Sequence, residues 1–167
     1  MLILGIDPGS GTTGYGVVEC RNGRLRALTH GTIVPPRGMP FLDRLPYIAA
    51  AVETLVRTVA PDGAAVEDLF HARNSRVALQ LGHVRGAALV PILRARVPVH
   101  AYPPRLVKQA VTGSGAAEKE QVRRMVRLLL GIRDRSLPLD ASDALAVAIC
   151  HAHSVPFQGV REAVARA

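Results

Sequence analysis

The chain opens with an apolar, β-branched run, Leu2-Ile3-Leu4-Gly5-Ile6, that ends at Asp7-Pro8-Gly9. Such a run predicts a buried strand with a carboxylate at its end. After the glycine-rich turn Gly9-Ser10-Gly11-Thr12-Thr13-Gly14, the pattern predicts a second strand from about Tyr15 to Glu19. Asn22-Gly23 marks a hairpin, and a third strand is expected from about Leu25 to Val34. Pro35-Pro36 then breaks the alternation. From Phe41 to Val59 apolar residues recur at helical spacing (Leu42, Leu45, Ile48, Val52, Leu55, Val56), and Pro61-Asp62-Gly63 stops the helix.

Ala64-Ala65-Val66-Glu67 reads as a short fourth strand. A loop with Phe70, His71, Arg73 and Asn74 leads to a helix that Ser75 can cap and that runs to about Arg96. Gly82 and Gly86 lie four apart on one face of it and would admit another helix closely; Pro91 is a kink signal. Val97–Ala101 reads as a fifth strand, with Pro98 near its start. Helices are then expected over Arg105–Val111, over Ala117–Leu130 with the face Val122, Met125, Val126 and Leu129, and from about Ala141 to His153. Residues 1–153 form one domain in this reading, and 154–167 an irregular tail. Three antiparallel strands, then helix, strand, helix, strand and helices, predict an α/β three-layer sandwich: a five-stranded mixed sheet with helices on both faces. If strands one and four pair in parallel, Asp7 and Glu67 end side by side, where ligands favour such sheets.

Charge changes the picture next. The 167 residues carry a formal net charge of +8, with nineteen arginines and only two lysines, Lys108 and Lys119. That balance favours a polyanionic partner, nucleic acid first. The basic residues are dispersed, with no polybasic membrane anchor. Tryptophan is absent and aromatics make up 4%, which argues against a many-ringed base-stacking platform. Cys20 and Cys150 match no metal or redox spacing and read as reduced thiols of a cytosolic protein. No charged leader precedes the first strand, and no apolar run reaches the ~18 residues of a membrane span.

In this basic chain, acids stand at two strand ends, Asp7 and Glu67, and at one helix start, Asp140 and Asp143, spaced i and i+3 on one face. Each has a bland explanation. Asp7 suits a turn, Glu67 an ion pair with an arginine, and Asp140 and Asp143 helix capping and the helix dipole. Together they describe a different site, because converging carboxylates repel unless divalent cations bind between them. Oxygen ligands suit Mg²⁺ or Mn²⁺. Two such ions ~3.5–4 Å apart support phosphodiester hydrolysis. Acids holding metal within a basic surface fit a nuclease better than a pure binder.

Five motifs occur in register: Gly5-Ile6-Asp7-Pro8-Gly9, Val66-Glu67-Asp68-Leu69-Phe70, Val107-Lys108-Gln109-Ala110-Val111, Ala117-Glu118-Lys119 and Asp140-Ala141-Ser142-Asp143-Ala144-Leu145-Ala146. In order and spacing they resemble the RuvC family of Holliday-junction endonucleases, of the RNase H-like superfamily. The resemblance covers about Leu2 to His153. It implies an RNase H-like fold and a homodimer with one site per subunit. It also implies paired symmetric nicks at a four-way junction, in DNA recombination and repair, and a branch-migration complex, RuvA–RuvB, as partner.

The family's four metal-binding carboxylates fall on Asp7, Glu67, Asp140 and Asp143, with two Mg²⁺ per subunit, or Mn²⁺ in their place. Its junction-contacting aromatic falls on Phe70, and its two functional lysines on Lys108 and Lys119, the latter counted with the catalytic residues. A core position for Phe70 and a solvated first-turn position for Lys119 are the alternatives. Asp68 departs from the uncharged residue of the family pattern and adds negative charge beside the site. Arg73, Arg76, Arg105, Arg123, Arg124 and Arg127 are the candidate phosphate contacts, against solvated helix positions as the alternative.

Two rival readings remain at this point. Gly5-Ile6-Asp7-Pro8-Gly9-Ser10-Gly11-Thr12 also fits the first phosphate loop of an actin-like or sugar-kinase-type ATPase, although no second phosphate loop is visible. The other rival is a non-catalytic basic DNA-binding dimer.

Overall fold

β1 (Leu2–Asp7) has Ile3, Leu4 and Ile6 fully buried, as a strand covered on both faces requires. The structure is a computed structural model; its described residues are 1–68, 74–134 and 136–165, with side chains up to Val155. β2 (Thr13–Arg21) and β3 (Arg24–Ile33) complete an antiparallel meander with β1. Their hairpin turns at Asn22 and Gly23, both at positive φ (51° and 75°), as the Asn-Gly pair predicts. α1 (Phe41–Val59) follows, then β4 (Gly63–Glu67), which pairs with β1 in parallel, Ile6 opposite Val66. β5 (Val99–Tyr102) pairs in parallel with β4, giving a five-stranded sheet in the order β3-β2-β1-β4-β5. This is the mixed RNase H-like sheet expected.

α1 and α2 (Ser75–Arg94) cover one face through Ile48, Val52, Val84, Ala88 and Ile92, against Leu4, Ile6 and Val17. The other face carries α3 (Pro104–Thr112), α4 (Lys119–Leu130) and α5 (Leu139–Ala165), packed on Ile3, Val18 and Ala65. α5 lies nearest the sheet. A methyl group at Gly5 would overlap the backbone carbonyl of Ala144, one at Gly14 the carbonyl of Asp140, and one at Gly16 the side chain of Leu145. The glycines of β1 and β2 therefore admit this helix to backbone contact.

Several local expectations change. Asn74, not Ser75, caps α2: it is extended (φ −142°) and its side chain accepts the Arg76 N–H at 2.8 Å. No described atom from outside the helix's own backbone lies within 4 Å of a Cβ placed on Gly82 or Gly86, so no helix among the described residues packs closely there. The buried face of α4 ends at Leu130, while Leu129 is 37% exposed, because one residue rotates a helix by about 100°. α5 begins at Leu139, ahead of Asp140, and runs on to Ala165, so the segment expected as an irregular tail from Ser154 continues the helix. Pro156 and Gly159 lower helix preference there, which hid the continuation. Cys20 and Cys150 are both free.

Candidate active site

Parallel pairing of β1 and β4 brings Asp7 and Glu67 to one end of the sheet. The close seat of α5 brings Asp140 over Gly14, which pairs with Asp7 across β1 and β2. One helical turn on, Asp143 reaches the same place. The result is a cavity of about 120 Å³ lined by Asp7, Glu67, Lys108, Lys119 and Asp143, with walls from Pro104, Val107, Val122 and Ala146. Asp140 does not line it and acts on it only through its charge, which reaches Asp7. Asp140 lies within the first turn of α5 rather than before it, so capping does not account for it.

The electrostatics follow from this crowding. Burial, followed by the charges of Asp143, Glu67 and Asp140, raises the Asp7 carboxyl to about 7. Glu67 is also pushed up, by burial first and then by Asp143. The Lys119 ammonium sits 3.1 Å from Asp143 Oδ2. That carboxylate, by charge and then by hydrogen bonding, raises the Lys119 pKa. Lys119, at the start of α4, thus supplies counter-charge from a 69% exposed side chain.

Among the described residues, no three His, Cys, Asp or Glu side chains are drawn close enough together to form a ready-made metal cage, although Asp7, Glu67 and Asp143 share one cavity. The donor set still suits a hard divalent cation. It is all oxygen, and beyond the effect of burial the charges of Asp143, Glu67 and Asp140 act on Asp7 against the opposing charge of Lys119.

The other predicted contacts scatter around this cavity. Lys108 lies on its wall, from α3. Arg76 and Arg105 are exposed, at the starts of α2 and α3. Arg123 is engaged: it holds Glu120 at 2.8 Å and the Leu137 carbonyl at 3.4 Å. It also lines a surface groove with Arg124 and Arg127. Phe70 and Arg73 lie outside the described residues. Asp68 faces Arg85 of α2 at 3.7 Å, so the additional charge beside Glu67 is partly met within the chain. Sequence reasoning did not find the buried bond between Tyr102 of β5 and His151 of α5 (2.7 Å). Nor did it find Arg44, whose guanidinium donates to the carbonyls of Met39 (2.8 Å) and Ser10 (3.2 Å) and ties α1 to the turn after Asp7.

Comparison with known proteins gives a consistent answer. The family profile described as Crossover junction endodeoxyribonuclease RuvC matches residues 3–151. A crossover junction endodeoxyribonuclease RuvC of Chloroflexus aurantiacus is 47% identical over 93% of this chain and 95% of its own. One of Moorella thermoacetica is 47% identical over 99% of each chain. Among solved structures, Thermus thermophilus RuvC in complex with a Holliday junction substrate superposes with a TM-score of 0.88 at 37% identity, covering 95% of this chain and 96% of that one. The yeast mitochondrial Holliday junction resolvase shares the fold at 11% identity, with a TM-score of 0.65 over 90% of this chain and 77% of its own.

Proposed function

Because this chain belongs to the crossover junction endodeoxyribonuclease RuvC family, we propose that it resolves Holliday junctions by paired symmetric nicks made at the Asp7–Glu67–Asp143 cavity. The chain is a DNA-cutting hydrolase, and the ATPase and pure-binder readings are not favoured. The observation that carries the assignment of the site is the convergence of Asp7, Glu67 and Asp143, with two lysines, on one cavity of a protein of net charge +8.

Asp7, Glu67 and Asp143 would hold divalent metal, Mg²⁺ or Mn²⁺ at two ions per subunit, with Asp140 as the fourth carboxylate. Metal bound there supplies water activation and stabilisation of the leaving oxygen. Until it binds, Lys119 neutralises Asp143 and is placed to meet a phosphate oxygen. Lys108, which lines the same cavity from α3, would meet the same backbone. Arg73, Arg76, Arg105, Arg123, Arg124 and Arg127 extend this positive surface along the DNA. Phe70 enters the junction as a replacement stacking partner. The nuclease unit comprises residues 1–153.

Symmetric cutting requires two sites held at fixed spacing, hence a homodimer. A stripe on α2 supports one: Leu79, Val90 and Leu93 are 66%, 50% and 56% exposed, on the face where Gly82 and Gly86 meet no other element among the described residues. Burying such a stripe against a second copy removes apolar area from water and lets two helices approach. RuvA–RuvB and the cytoplasm complete the setting. No helix among the described residues is long and apolar enough to cross a membrane.

The deciding experiment is cleavage of a synthetic four-way junction beside a linear duplex of the same sequence. The expected result is Mg²⁺-dependent nicks in two strands of like polarity, with ends that can be ligated. Cutting that persists in a chelator, or equal cutting of the duplex, would overturn the reading.

A further inference from the structure

Between β5 and α5 lies a polar pair that the chemistry does not use, its imidazole against Gly63 at the start of β4. Tyr102, at the end of β5, is 5% exposed, and His151 of α5 is 3% exposed. The phenol oxygen and His151 Nδ1 are 2.7 Å apart. The His100 ring lies against His151, with centroids 4.6 Å apart and planes inclined by 31°. Buried polar groups need partners, and this pair supplies them across two layers of the fold.

Its position gives it a further consequence. Tyr102 is the register partner of Glu67, and its carbonyl accepts the N–H of Asp68 at 2.8 Å. Its backbone therefore fixes the exit of β4 just beyond Glu67, while its side chain fixes α5. His151 stands eight residues beyond Asp143 on that helix, about 12 Å along its axis. β5 is a four-residue edge strand joined to the sheet only through β4, and its contact with α5 runs through Tyr102 and His100 against His151.

We propose that Tyr102 and His151 are positioning residues for the nuclease site, whose hydrogen bond ties the β4–β5 edge carrying Glu67 to the helix carrying Asp140 and Asp143 and so sets the gap in which metal binds. This inference rests on the carboxylates being the metal site. His151 is held neutral, because burial and then His100 lower its pKa to about 4. Either tautomer of the neutral ring makes the bond to the phenol. Loss of groups hydrogen-bonded directly to metal ligands weakens metal affinity or activity by roughly 10–100-fold, and a pair that acts on the ligands through β4 and α5 is expected at the low end of that range.

The test measures Mn²⁺ binding without DNA by calorimetry, together with melting temperature and single-turnover junction cutting. Tyr102→Phe keeps the ring and loses the bond. It should bind Mn²⁺ about tenfold more weakly and cut correspondingly slowly, while metal-free junction binding stays at the parent level. Tyr102→Phe combined with His151→Leu pairs two apolar groups. It should recover melting temperature but not Mn²⁺ affinity, a split that a packing role alone would not produce. His151→Asn, with a polar atom near the Nδ1 position, should retain most of the affinity, and His151→Leu should not. These two decide the matter should Tyr102→Phe fail to fold. Parent-level Mn²⁺ affinity in Tyr102→Phe or in His151→Leu, or affinity that returns with stability in the double variant, would overturn the inference. Asp7→Asn separates the premise: if it binds Mn²⁺ as the parent does, the metal-site reading fails and the inference with it. If Asp7→Asn loses Mn²⁺ and Tyr102→Phe does not, only the inference fails.

Discussion

Gly5 of β1 and Ala144 of α5 meet backbone to backbone, with no room for a methyl group between strand and helix. This contact lowers Asp143, the residue before Ala144, onto the sheet end where Asp7 stands. Gly5→Ala should push α5 outward. Overpacking of this kind costs about 1–3 kcal/mol, and a displacement near 1 Å can cost ~100-fold in rate. Melting temperature and cutting rate measured on one preparation should show a modest loss of stability and a large loss of activity. Parent-level cutting would mean that the helix seat is not critical to the site.

Asp7→Asn, Glu67→Gln, Asp140→Asn and Asp143→Asn should each lose nearly all Mg²⁺-dependent cutting while still shifting junctions in gels. Any of them that cuts at the parent rate does not belong to the site. Asp7 makes a second forecast possible. Its folded pKa is raised from 3.8 to about 7, chiefly by burial. Its contribution to stability is therefore complete below 3.8 and is lost as pH rises through 7. In a chelator, Asp7→Asn should melt above the parent at pH 8, with the gap narrowing as pH falls through 7 and closing near pH 4.

His151 works in the opposite direction. Burial lowers its folded pKa from 6.5 to about 4, so the unfolded chain takes up a proton that the folded chain refuses. The stability it contributes is complete above 6.5 and is lost as pH falls toward 4, by up to about 3 kcal/mol. Denaturant melts between pH 7 and 4.5 should fall less steeply for His151→Leu than for the parent. Parallel profiles would remove His151 as the cause.

Leu79→Glu with Leu93→Glu should convert a dimer into folded monomers in sedimentation, because both side chains are exposed within the chain. Such monomers should nick one strand at a time and lose coupled resolution. A dimer that survives both changes would exclude this face of α2.

Phe70 lies three residues after Glu67. A base–aromatic stack is worth ~1–3 kcal/mol, a small part of a complex held mainly by phosphates. Phe70→Ala should therefore still bind junctions yet cut them ~100-fold more slowly, with Phe70→Trp or Phe70→Tyr recovering part of the rate. A core aromatic would behave differently, losing ~3–5 kcal/mol of stability. A large drop in melting temperature with an unchanged rate per folded molecule would make Phe70 a packing residue.

The sheet and α1 were legible because apolar runs and helical spacing encode burial directly: β1 ends at Asp7 and α1 spans Phe41–Val59 as read. The pairing that joins Asp7 to Glu67 followed from element order. What escaped depends on geometry finer than a pattern. Asn74 and Ser75 both have capping chemistry, and only the backbone angle at Asn74 chooses between them. Leu129 and Leu130 differ by one step around α4. Asp140 reads as a cap until the helix is seen to start before it. The Tyr102–His151 bond joins residues 49 apart and depends on the seat of α5 against β5. No local signal carries that.

The dispersal of the carboxylates over β1, β4 and α5 has a consequence for biosynthesis. Asp7 and Glu67 leave the ribosome early, but the strand end they share acquires its remaining acids only when α5 emerges and settles on the glycines of β1 and β2. If the four carboxylates are the cutting centre, a nascent or prematurely terminated chain that stops short of Leu139 lacks Asp140 and Asp143 and should not cut DNA.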